Sequence, residues 1–349
     1  MLLDYLSQRQ QPDSVGEEVA RLERAGLDGY FVAETNHDAM LTAALVATRS
    51  TRLTVGTAIA IAFARSPMSM AYSAHGLQQI ARGRFVLGLG SQIRAHVERR
   101  FGMPWGDPVR RMNEFIAAYH SVWDAWETGA ELRFRGDFYQ HTLMPPAFRP
   151  PKLPWPRPPV LLAGIGPRMT RLAAESADGI VCHPLSSVRY LRERTLPQLQ
   201  RAADHLGKDL ARFTVCATVL VATGSSADEL DTEIARTRRQ IAFYASTPAY
   251  RPVLELHGWG DLGDEARALT RQGRWSELPD LIDDDVLNAF AVVAEIDRLG
   301  PILAARYAGS LTRLNLATEH QFTDGQWIGL CSALRAAPDP LPPTGMGNT

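Results

Sequence analysis

The chain has 349 residues, 45% of them hydrophobic and 21% charged, ordinary usage for a soluble globular protein that excludes disordered and collagen-like classes. Its 37 basic and 38 acidic side chains leave a formal net charge of −1, so there is no broad positive field to gather nucleic acid or anionic lipid. Cys182, Cys216 and Cys331 form no CxxC pair, as in a reduced, cytoplasmic protein, and neither a signal peptide nor the ~20 apolar residues of a membrane span is expected.

Residues 2–6 read as a first strand. Helix 14–25 follows, with Val15, Val19, Leu22 and Ala25 at helical spacing, Asp13 or Ser14 as cap, and Glu17 at capping-box distance from Ser14. The alternation continues with strand 29–33 and helix 39–49, strand 53–61 and helix 68–81, and strand 84–89 and helix 109–126. After an interruption come strand 160–163 with helix 168–176, strand 179–182 with helix 188–206, strand 213–221 with helix 228–244, and strand 311–316 with helix 325–335.

Eight such units predict an α/β (β/α)8 TIM barrel, since a doubly wound sheet more often stops at about five or six strands. A single domain over 1–336 is expected, with insertions at about 129–159 and 248–293. The Pro- and Gly-rich stretch 337–349 reads as a flexible tail.

Barrel active sites gather at the carboxyl ends of the strands. Past the second strand stand Glu34, Thr35, Asn36, His37 and Asp38; residues 58–65, including Ala58, Ile59 and Ala60, end the third; and Gly90, Ser91 and Gln92 follow the fourth. Gly164, Ile165, Gly166, Pro167 and Arg168 follow the fifth, and His183 the sixth. LAGIGPRM runs from strand to helix through two glycines and a proline, which either exposes backbone N–H groups to a phosphate, with Arg168 adding charge, or merely closes a βα turn. LGLGSQ likewise either lets backbone approach a flat ring or permits a tight turn. Glu34, His37 and Asp38 could form an acid/base cluster, with Asp38 equally suited to cap the helix at Ala39.

No metal site is expected, because none of the nine histidines has HExxH spacing and there is no calcium-loop pattern. GxSxG is absent, and with Lys152 and Lys208 the only lysines, hydrolase, kinase and Schiff-base chemistry recede.

GTAIAIAFARSPM, GRFVLGLGSQIRAHVERRFGMPW, LAGIGPRM and IAFYASTPAYRPVLELHGW together resemble the luciferase-like superfamily, in particular its actinobacterial F420-dependent oxidoreductases. The likeness runs from about residue 19 to about residue 316. It implies a TIM barrel with the deazaflavin across the carboxyl rim, backed by a third-strand bulge, typically a non-proline cis peptide, at Ala58 to Ile59. It also implies that Thr35 and Glu34 lie near the ring, that Ala60, Gly90, Ser91 and Gln92 flank it, and that Gly164, Ile165, Gly166, Pro167 and Arg168 hold the phosphate, with His183 nearby. Relatives that oxidise sugar phosphates carry an Asp-His pair where this chain has Glu34 and Thr35, which leaves His37 or Glu34 as the proton donor. Lysines that often bind the cofactor's glutamate tail in relatives would be replaced here by arginines.

The implied function is hydride transfer between coenzyme F420 and a small organic substrate by a homodimer. The alternatives are an FMN-dependent luciferase-like monooxygenase and a non-catalytic cofactor-binding protein.

Overall fold

The computed structural model describes residues 1–8 and 12–336; the stretch 337–349, read above as a tail, lies outside the described residues. Eight parallel strands pair in chain order: β1 (Leu2–Ser7), β2 (Gly29–Val32), β3 (Thr54–Thr57), β4 (Phe85–Gly90), β5 (Val160–Gly164), β6 (Gly179–Cys182), β7 (Thr214–Ala222) and β8 (Arg313–Ala317). Pairing of β8 with β1, Leu314 opposite Leu3, closes the ring, so the expected (β/α)8 barrel is the fold.

Each strand is followed by a helix on the outside: α1 (Val15–Ala25), α2 (Ala39–Arg49), α3 (Pro67–Ile80), α4 (Pro108–Thr128), α5 (Pro167–Ser176), α6 (Leu196–Leu206), α7 (Ala227–Ala245) and α8 (Asp324–Ala336). The two-residue period of a strand sends alternate side chains to opposite faces and so creates two cores. Leu3, Val55, Phe85, Leu162 and Leu314 pack outward against the helices, whereas Phe31, Leu161, Val181 and Cys216, with Leu6, Val86 and Ala163, fill the interior. All three cysteines are buried and unpaired in disulfides. No described helix is long and apolar enough to cross a membrane.

The third strand is broken where the resemblance implies a bulge and a cis step, although the pattern alone reads 53–61 as continuous: β3 ends at Thr57, Ala58–Ile59 is a cis peptide, and Ala60–Ile61 resumes pairing against Leu89 and Gly90. Three other features depart from the sequence reading. Ser14 stands at the N-cap but makes no side-chain cap bond, because a 3-10 turn over Pro12–Ser14 holds it in αR instead of the extended conformation a cap requires. The sixth helix is not continuous; Val188–Tyr190 passes through a π-helical turn, Leu191–Thr195, before α6. A short helix, Arg94–Arg99, follows β4 where the sequence pattern shows only a loop.

The insertion at 248–293 is mostly helical. Arg251–Leu256, Gly260–Arg271 and Asp284–Phe290 surround a small core of Val253, Leu254, Ala266, Leu287 and Phe290 that is continuous with Leu185, Tyr190 and Leu220 of the barrel. Its last residues, Ala291–Val293, add a strand beside the end of β7. Arg306, from a helix over Ile296–Tyr307, anchors that end by donating to the carbonyls of Asn288, Ala289 and Ala291, each at 2.8 Å.

Candidate active site

The rim is organised around Glu34, just past β2. Its backbone N–H meets the Ile59 carbonyl at 3.3 Å, and its carboxylate accepts the Ile61 N–H at 2.6 Å. The same carboxylate receives both terminal nitrogens of Arg65, Nη1 at 2.8 Å. Arg65 Nη2 also reaches Asp38 at 2.6 Å. The segment 58–61 is thus tied at both ends of the cis step to one buried side chain, 6% exposed. Asp38 caps α2, accepting from Met40 and Leu41 at 2.8 and 3.0 Å. Burial works against its charge, but the Leu41 N–H and Arg65 outweigh it and hold the carboxyl below its usual range. Of the two readings of Asp38, the cap is therefore the one the geometry realises.

Thr35 Oγ1 donates to the Gln8 carbonyl at 2.5 Å, and the Thr35 carbonyl accepts from Arg100 at 2.6 Å, so the turn after β2 is pinned on both sides. His37 lies exposed on that turn.

The glycines of LGLGSQ are explained by the broken strand. A Cβ on Gly88 would lie 1.9 Å from the Thr57 carbonyl oxygen, whose own hydroxyl donates to the Gly88 carbonyl at 2.7 Å. A Cβ on Gly90 would meet Ile59 at 2.7 Å. The strands can approach this closely only without those side chains. Beyond them, Gln92 takes φ 61°, a conformation uncommon for a residue with a side chain, and its Oε1 accepts the Ile93 N–H at 3.0 Å. Ser91 Oγ donates to the Gln92 carbonyl at 3.1 Å.

On the next strands, Gly164 pairs with Cys182, so the residues beyond, Ile165 and Gly166 on one side and His183 on the other, leave the sheet side by side. Tyr190 fixes the turn by donating to the Ile165 carbonyl at 2.9 Å. Gly166 is the N-cap of α5 with Pro167 behind it, and no side chain caps the first turn; the first helical bond runs from Thr170 N–H to Gly166. A Cβ added at Gly166 would have nothing within 4 Å. Arg168, expected to supply charge here, is instead paired with Asp107, the N-cap of α4, at 2.8 Å.

His183 is enclosed by aromatic rings that sequence reasoning did not find. Tyr250, from the insertion, stacks on it at 4.0 Å, and Tyr244 of α7 meets it edge-on at 4.7 Å. Burial pushes His183 down to about 3, so it is neutral near pH 7. Its Nδ1 accepts the Leu185 N–H at 3.1 Å, which places the proton on Nε2. No described protein group bonds to Nε2, and that atom is not sealed from solvent. The only advance signal for Tyr250 was its place in IAFYASTPAYRPVLELHGW; for Arg65 it was the cation ending the apolar run 58–64.

All the anticipated rim residues therefore fall at the carboxyl ends of β2 to β6, five consecutive strands. Residues 58–61 stand held at one place on this arc and an uncapped helix start opens at another. Among the described residues no group of three or more His, Cys, Asp or Glu is arranged to hold a metal.

A closed barrel with a broken third strand and this rim has the luciferase-like fold. The family model of the luciferase-like monooxygenases matches residues 3–312, and the chain belongs to that family. It is 48% identical over 293 residues to the uncharacterized protein Rv1360 of Mycobacterium tuberculosis (strain ATCC 25618 / H37Rv), covering 84% of this chain and 86% of that one. In fold it is similar to the coenzyme F420 dependent tetrahydromethanopterin reductase from Methanopyrus kandleri, with TM-score 0.76, 18% identity and coverage of 95% and 97%. It is also similar to the oxygenating constituent of 3,6-diketocamphane monooxygenase from Pseudomonas putida, in complex with FMN, with TM-score 0.63, 17% identity and coverage of 98% and 99%.

Proposed function

We propose that the protein is an F420-dependent oxidoreductase that transfers hydride between the deazaflavin and a small organic substrate. The observation that carries this reading is the rim itself, which offers a rigid backing at residues 58–61, held by Glu34, and an uncapped, unobstructed helix start at Gly166. These residues fit the group. Ala58 and Ile59, with Ala60, Gly90, Ser91 and Gln92, would flank the ring, and Gly164 to Arg168 with His183 would take the phosphate.

When bound, the deazaflavin supplies the carbon that carries the hydride. The chain's part is positioning and protection. Glu34 holds the backing through Ile61 and Arg65 and is engaged as an acceptor, which makes it a positioning residue and leaves His37 to hold the proton that a carbonyl or imine substrate requires. Inorganic cofactors have no part in this reading.

Titration of the purified protein with F420 and with FMN tests the proposal. Saturable F420 binding with weaker or no FMN binding is the expected result; the reverse order would replace it with an FMN-dependent monooxygenase, a reading supported by the fold likeness to the FMN complex. If no alcohol, ketone or activated alkene exchanged hydride with bound F420, the non-catalytic binding protein would be the better description. The homodimer implied by the resemblance belongs to the same proposal and is read by sedimentation equilibrium.

A further inference from the structure

The turn after β2 carries His37 between two fixed points. At its far end Asp38 caps α2, accepting from Met40 and Leu41, and receives Arg65 at 2.6 Å. At its near end Thr35 donates through Oγ1 to the Gln8 carbonyl, just past β1, and the Thr35 carbonyl accepts from Arg100 Nη2 at 2.6 Å. Asn36 and His37 are the two residues between these anchors, so the anchors limit how far that stretch of chain can swing. His37 is itself exposed, and the backbone of the turn, more than packing, sets where its imidazole lies.

The hold on the Thr35 carbonyl comes from beyond the third strand. Arg100 ends the short helix Arg94–Arg99, its N–H closing the last turn on the His96 carbonyl at 3.0 Å, and its guanidinium lies 4.8 Å over the Phe101 ring. That helix leaves β4 through Ser91 and Gln92, where Gln92 is fixed at φ 61° with its side chain accepting the Ile93 N–H. In the barrel β2 pairs with β3, and β3 with β4. The Arg100 bond therefore joins the loops that follow the strands on either side of the broken one. A guanidinium donating to a carbonyl makes a charge-assisted bond, stronger than a neutral pair of the same geometry, and the aromatic ring beneath it restricts the long side chain.

We infer that Arg100 is a positioning residue for His37. By holding the Thr35 carbonyl it fixes the turn that carries the proton to the loop that would flank the ring, so a ring seated against Gln92 settles His37 with it. A displacement of about 1 Å in such a group costs roughly a hundredfold in rate, which is what this bond prevents. The inference rests on the deazaflavin reading above and on the part His37 has in it.

The test is NMR of the purified protein carrying isotope-labelled histidine, with the His37 ring signals assigned by their loss in His37→Ala, recorded before and after saturation with F420. In the parent, F420 is expected to shift the His37 signals. Arg100→Met keeps an apolar stem over Phe101 and removes the donor. It is expected to bind F420 within about threefold of the parent, as an exposed substitution outside the ligand's contacts does, and to lose most of the His37 shift. Arg100→Lys retains a donor and is expected to recover most of that shift. The urea midpoints of both variants should stay near the parent's, because Arg100 is exposed.

A His37 shift in Arg100→Met equal to the parent's would overturn the inference. Loss of F420 binding in Arg100→Met would overturn it as well, since Arg100 would then be a cofactor ligand. A parent that binds F420 with no change at His37 would overturn it while leaving the cofactor reading intact. Failure of the parent to bind F420 would overturn the cofactor reading, and this inference with it.

Discussion

Glu34 and Arg65 join the end of β2 to the segment that follows the broken third strand: Arg65 Nη1 donates to the Glu34 carboxylate at 2.8 Å, and the pair is mostly withdrawn from water, 6% exposed on the acid and 16% on the base. Because the same carboxylate takes the Ile61 N–H, the pair also sets the path of residues 58–61. Removing one member of a buried pair leaves the other uncompensated, which costs about 3 kcal/mol. Glu34→Gln is therefore expected to lower the unfolding free energy by that amount, read as a lower urea midpoint at unchanged slope, and to weaken F420 binding. An unmoved midpoint would show that the pair does not hold the rim.

Gly88→Ala and Gly90→Ala separate backbone from side-chain crowding. The added carbon at Gly88 would lie 1.9 Å from a carbonyl oxygen, so a strand must shift, whereas at Gly90 it meets the end of the Ile59 side chain at 2.7 Å. Gly90→Ala should cost about 1–3 kcal/mol, as overpacking does, and Gly88→Ala more. Thermal unfolding of both variants checks the order; a less stable Gly90→Ala would contradict the geometry.

For a carbonyl or imine substrate, His37→Ala should lower kcat by roughly a hundredfold or more while leaving the F420 dissociation constant unchanged. His37 is exposed and outside the Glu34 cluster, so the protein should remain as stable as the parent. Unchanged turnover across pH removes His37 from the mechanism and leaves the proton to solvent.

Acid stability follows from two partly buried histidines. His183 is pushed down to about 3 by burial, and His120 to about 4 by burial with Arg157 adding to it, from an ordinary value of 6.5. The unfolded chain binds these protons first. Stability is then complete above pH 6.5 and is lost progressively as the pH falls from there, the loss levelling off at about 4 for His120 and at about 3 for His183. His183→Gln and His120→Gln should each flatten the dependence of unfolding free energy on pH below 6.5, and Tyr250→Ala should raise the His183 titration midpoint measured by NMR. A parent protein equally stable at pH 4.5 and pH 7.5 would refute this.

Much of the architecture could be read from local pattern. Asp38 directly before an apolar helical run is a cap wherever the run folds, and the eight alternations imply a closed parallel sheet because each helix needs a strand face to cover. The insertion 248–293 was harder, since its short helices are stabilised by packing on Leu185, Tyr190 and Leu220 more than by any strong periodicity of their own. The break in the third strand lay within an apolar run, 58–64, that continues without a turn residue.

Residue order alone determined which side chains arrive at the carboxyl rim, because strand period and helix length act over a few neighbours at a time. Only closure of the barrel decided their partners. Arg168 meets Asp107 across 61 residues and His183 meets Tyr250 through an insertion packed on β7, contacts set by the spacing of strands and helices around a ring that no local pattern encodes.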